Sequence, residues 1–181
     1  MMSDAFDKLA NESELARREN RVSDAKRQWA EAVELSRQSG NKQELIRALK
    51  GSGQIARDMG NNEAALPFYQ EAVALCREQD DALALAHTVR HLGDVYRSAG
   101  QLELAEPCYR EALALYRSHK QTAPLDLANA LRPMAILKEQ TGEPEAAKPL
   151  WEEARQLYAA VNVPEGVAES SKRLEHLAGK Q

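Results

Sequence analysis

Residues 86–112 read AHTVRHLGDVYRSAGQLELAEPCYREA. Val89, Leu92, Gly93 and Tyr96 recur at helical spacing, Gly100 interrupts, and a second run follows through Ala105, Tyr109 and Ala112. Residues three and four apart share one face of a helix, and glycine commonly stands just past a helix end. The stretch is therefore a helical hairpin. Its pattern stands 40 residues earlier at Leu49, Gly53, Ala56, Gly60, Ala65, Tyr69 and Ala72, and 42 residues later at Leu131, Ala135, Lys138, Gly142, Ala147, Trp151 and Ala154. A weaker copy occupies Leu9, Ser13, Ala16, Asn20, Ala25, Trp29 and Ala32. Such a hairpin cannot bury both of its apolar faces alone, so neighbouring copies must stack. The expectation is an all-α solenoid of antiparallel hairpins in one domain over 1–181. Its repeats fall near 3–40, 41–80, 81–121 and 122–162, with a capping helix near 164–178.

The local signals place nine helices. The first runs from Ser3 to Arg18 with Ser3 or Asp4 as N-cap, and the second covers 22–38 and stops at Gly40. Pairs follow at 42–59 and 62–79, at 81–99 and 102–119, and at 124–141 and 144–160, before a last helix at 164–178. Gly53 and Gly93 permit close helix approach, and the aromatic at 29, 69, 109 or 151 fills the space opposite. Pro67, Pro107 and Pro149 fall about one turn into the second helices, where a slight bend suffices. Pro133 lies mid-helix and removes the bond to Asn129, at a cost of up to ~3 kcal/mol unless the helix kinks.

Composition narrows the function. With only 5% aromatic residues, packing rests on Ala and Leu. A net charge of -4 argues against a general nucleic-acid binder, which is usually strongly basic. Cys76 and Cys108 have no metal-ligand spacing and read as small packing residues of a reduced, cytosolic protein. The start, Met1-Met2-Ser3-Asp4-Ala5, lacks a basic region followed by an apolar core, and no run approaches the ~20 apolar residues of a membrane helix. The expectation is a soluble, cytoplasmic chain with no membrane partner.

Leu92-Gly93, Tyr96, Ala105, Tyr109 and Ala112 resemble the signature places of the tetratricopeptide repeat. The spacing exceeds that family's usual ~34 residues and is similar to the lengthened repeat of kinesin light chains and many bacterial repeat proteins. The resemblance covers about residues 6–161. It implies a right-handed superhelix whose first helices line a concave groove that holds a peptide or protein segment. Members often bond the ligand backbone through Asn along those helices. The matching places here are Asn11, Gly51, His91 and Pro133, so that clamp is mostly missing.

The groove residues follow from register. Three before the small residue of each first helix stand Ala10, Lys50, Arg90 and Arg132, continued by Lys172, and four after it stand Arg17, Arg57, Arg97 and Glu139. Arg47, His87 and Asn129 flank these ladders, while the second helices carry Glu71, Glu78, Glu103, Glu106, Glu111, Glu145, Glu152 and Glu153. A basic inner face and an acidic outer one point to recognition of an acidic segment or terminal carboxylate. The competing reading is that these cations cover apolar surface and pair with neighbouring acids, at ~0–1 kcal/mol each. His87, His91 and Asp94 share a helix face, a spacing able to offer two imidazoles to a metal, but no Cys or second carboxylate completes a set. They are expected to line the groove, with no metal and no cofactor. Gly51-Ser52-Gly53 lies within a helix and lacks the strand-to-turn setting of a nucleophile elbow. The chain is expected to be an interaction module or adaptor rather than an enzyme, with an acidic protein partner and no nucleic acid. The alternative is a structural scaffold, self-associating weakly through its end helices or outer face.

Overall fold

The computed structural model describes residues 2–179. Among them stand nine α-helices and no strand: α1 (Met2–Arg18), α2 (Val22–Ser39), α3 (Lys42–Asp58), α4 (Asn62–Glu78), α5 (Ala82–Ser98), α6 (Leu102–Ser118), α7 (Pro124–Gln140), α8 (Pro144–Ala160) and α9 (Pro164–Ala178). They form two compact units, α1–α4 up to Asp81 and α5–α9 from Ala82. Each hairpin turns on a residue in the left-handed region at one repeat position: Asn20 at φ 58°, Gly60 at 74°, Gly100 at 75° and Gly142 at 76°. A side chain other than Gly or Asn is strained there. The 42-residue spacing arises in the connection from Ser118 to Pro124, where Thr122 Oγ1 donates to the Tyr116 carbonyl at 2.6 Å.

Within the first unit, Phe6, Ala10, Trp29, Ala32, Leu49, Ile55 and Ala72 share one core. The expected close approach holds at Gly53, where an added Cβ would lie 2.7 Å from the Tyr69 ring. A tighter one occurs at Gly51, where it would lie 2.3 Å from the Trp29 indole. Asn41 and Asn61 cap α3 and α4, accepting from the backbone N–H of Glu44 and Ala64. The N-terminus differs from expectation. Helix α1 begins at Met2, so Ser3 and Asp4 sit inside its first turn, where Asp4 favours the positive end of the helix dipole instead of capping it.

In the second unit, Tyr109, Leu113, Tyr116, Leu131, Met134, Leu137 and Tyr158 form the larger core, and Trp151 packs with Ala135, Ala147 and Leu177. Gly93 meets Tyr109 as expected, at 2.8 Å from an added Cβ, and Gly166 on α9 does the same for Tyr158 at 2.4 Å. Helix α7 continues through Pro133, which is buried, so this residue does not end the helix. Cys76 is buried, while Cys108 is half-buried with its thiol donating to the Leu104 carbonyl at 3.3 Å. No helix among the described residues is long and apolar enough to cross a membrane.

Candidate functional site: charged side chains of the first helices

The densest polar cluster lies on α5. Asp94, one residue past the small position, is only 7% exposed. Tyr109 Oη donates to Asp94 Oδ1 at 2.8 Å and accepts from Arg97 Nε at 3.2 Å. Arg90 Nη1 lies 3.6 Å and His91 Nδ1 3.5 Å from Asp94 Oδ2. Arg90 Nη2 is 2.9 Å from His91 Nε2. A guanidinium only donates, so Nε2 accepts and the imidazole proton sits on Nδ1, facing Asp94. His87 stacks edge-on against His91 with ring centroids 4.6 Å apart. Burial, then the Asp94 charge, holds the Tyr109 phenol far above its ordinary pKa, so it remains a donor to that carboxylate.

Helix α7 adds Asn129 and Arg132. Tyr158 Oη donates to Asn129 Oδ1 at 2.9 Å, and Arg132 makes a two-point contact with Glu169 on α9 at 2.6 and 2.9 Å. Those hydrogen bonds raise the Arg132 pKa against the opposing effect of burial, and Asp94 adds to the rise. Burial likewise raises Tyr158, while the charges of Arg132 and Arg90 oppose it. Arg90 and Arg132, equivalent in register, thus act on one hydroxyl. Lys172 is exposed on α9.

In the first unit the sequence-predicted cations are drawn into ion pairs. Arg17 Nε donates to Asp58 Oδ2 at 2.5 Å, and Gln54 Nε2 donates to Asp58 Oδ1 at 2.7 Å. Burial pushes the Asp58 carboxyl up, but those two hydrogen bonds and the Arg17 charge outweigh it and leave the pKa lowered. Arg47 Nη1 donates to Asp7 at 3.1 Å, its Nη2 lies 3.5 Å from Glu14, and its guanidinium sits 5.7 Å from the Phe6 ring centroid. Lys50 and Arg57 are half-buried on the same helix.

The expected separation of charge by face is therefore incomplete. Asp7, Glu14, Asp58, Asp94, Glu139 and Glu169 stand on first helices or on α9, and Arg37, Arg110, Arg117 and Lys148 on second helices pair with Glu71, Glu106, Glu153 and Glu145. Asp94 was read from sequence only as a groove-lining neighbour of the histidines, and Tyr109 and the acidic partners Asp7, Glu14, Asp58 and Glu169 were missed as members of the site. The 40-residue register does give one signal, since Asp7 stands 40 residues before Arg47 at the same repeat position. Among the described residues no group of three or more His, Cys, Asp or Glu is placed to hold a metal ion.

The profile of the tetratricopeptide repeat matches residues 44–118. That stretch is similar to the tetratricopeptide repeat. Comparison with curated sequences finds no match. Solved tetratricopeptide-like structures share the fold. BtubC (BKLC) from P. vanneervenii is 20% identical with a TM-score of 0.77, over 87% of this chain and 64% of that one. A Podosopora anserina structure of nearly identical TPR-like repeats, described as kinesin light chain, is 11% identical with a TM-score of 0.73, over 97% and 95%. The aspartyl phosphate phosphatase F of Bacillus subtilis is 15% identical with a TM-score of 0.84, over 94% and 44%. The chain spans under two thirds of BtubC and less than half of the phosphatase. At these identities the likeness establishes the fold alone.

Proposed function

We propose that this chain is a non-catalytic protein-interaction module whose first helices hold a peptide or protein segment of acidic character. The repeat family supports the interaction reading. In the second unit the segment meets Arg90 and Arg97, flanked by His87, His91, Asn129, Arg132 and Lys172. The first unit by itself offers such a segment Lys50 and Arg57, with Arg17 and Arg47 exchanging their internal carboxylates for the ligand's. The observation that carries the proposal is the state of Arg90. Its Nε is buried without a hydrogen-bond partner among the described residues, and its Nη1 stands 3.6 Å from Asp94, longer than a good hydrogen bond. Arg90 also bonds His91 and the Tyr116 hydroxyl, so only part of its donor set is open, and with Arg97 further along α5 it favours an arriving carboxylate. An array of short peptides, acidic, neutral and basic, tests this. Saturable binding confined to acidic members supports the reading, and equal binding of neutral members contradicts it.

The scaffold reading has its own observation. Arg17–Asp58, Arg47–Asp7 and Arg132–Glu169 each tie one helix to another. If the ladders serve only to join helices, the array stays blank and sedimentation shows self-association rising with concentration.

A further inference from the structure

In the second unit one side chain fills the groove between α6 and α8 above α7. Lys138, 6% exposed, places Nζ 2.9 Å from Glu106 Oε1 on α6 and 2.9 and 3.0 Å from the Glu143 carboxylate just before α8. The first unit has the equivalent groove between α2 and α4 above α3, with different residues at the same repeat positions. Ala56 stands for Lys138, Lys26 for Glu106 and Asn61 for Glu143. The plug is missing and one corner has reversed its charge. What remains is a cavity of about 400 Å³ lined by Val33, Ile55, Ala56 and Phe68, with Met59 55% exposed at its edge. Small-molecule sites commonly enclose ~300–1,000 Å³. Its charged residues are Lys26, Arg37 and Glu34, one positive charge in excess, and Arg37 also donates to Glu71 at 2.8 Å.

We infer that this cavity binds a small aliphatic carboxylate. The apolar chain covers Val33, Ile55 and Phe68, and the carboxylate meets the Lys26 ammonium. The ligand is the charge-inverted counterpart of the lysine plug: an apolar stem with an anionic head, facing a cation where the plug faces glutamates. This site lies among α2, α3 and α4 and is independent of the proposed acidic-segment face.

The test is calorimetric titration of the full chain with hexanoate, octanoate and decanoate. Binding is expected to tighten about fifteenfold for each two methylenes until the cavity is full. Ala56→Met, which fills the cavity with an uncharged stem in place of the lysine plug, is expected to abolish decanoate binding with helical circular dichroism intact. Lys26→Glu, at an exposed position, is expected to weaken decanoate about tenfold and leave decanol within about twofold. Absence of saturable decanoate binding, undiminished binding by a folded Ala56→Met, or equal loss of decanoate and decanol in Lys26→Glu would each overturn the inference.

Discussion

A methyl group on Gly51 would sit 2.3 Å from the Trp29 indole, inside the van der Waals envelope of a ring that is 3% exposed. Alanine gains ~1 kcal/mol over glycine in a helix, but overpacking a core costs ~1–3 kcal/mol. Gly51→Ala is therefore expected to destabilise the chain by up to about 2 kcal/mol, seen as a lower urea midpoint with an unchanged slope. A raised midpoint would mean that the indole yields without cost. Gly93→Trp leaves no such compromise against Tyr109 and is expected to remove the cooperative transition. Gly53 and Gly93 were readable from sequence because glycine and aromatic belong to the same hairpin copy. Gly51 was legible only as a departure from the family's Asn position, since Trp29 lies in the preceding copy and the equivalents of Gly51 are His91 and Pro133. Gly166 went unread for the same reason.

Helix ends were the most legible level, because apolar periodicity stops at residues suited to positive φ, Asn20 and Gly60 among them. Side-chain pairing between helices was least legible. Nothing in the repeat pattern announces that Lys138, at the place of Ala56, bridges two glutamates on other segments. Hydrogen bonds from Lys138 and then Arg110 hold Glu106 below its ordinary carboxylate range, against the opposing effect of burial. The folded-state pKa lies below the unfolded one, so this stabilisation is complete above the unfolded value and is lost as pH falls through the folded value. Asp58 has the same sign. Thermal scans are expected to show stability constant near neutrality and declining below about pH 4.5. Lys138→Met should lower stability by about 1–2 kcal/mol at pH 7 and by less at a pH low enough to protonate its partners. A loss that is the same at both values would show that the lysine acts by packing alone.

For the molecule as a whole, register puts cations on the first helices but could not say which of them were already engaged. Arg47 meets Asp7 and Arg132 meets Glu169 because acids occupy the same ladders, an interleaving that net charge and periodicity do not reveal. Association steered by Arg90, Arg97 and Lys172 is expected to weaken as salt rises, since screening at 0.1 M acts over ~10 Å. The most direct measurement is the affinity of the chain and of its Arg90→Gln/Arg97→Gln variant for one acidic peptide from the array, titrated at low and high salt. The account predicts a loss of about tenfold to a hundredfold in the variant, with unchanged circular dichroism and a shallower salt dependence. Equal affinity and an equal salt slope in the two proteins would contradict it.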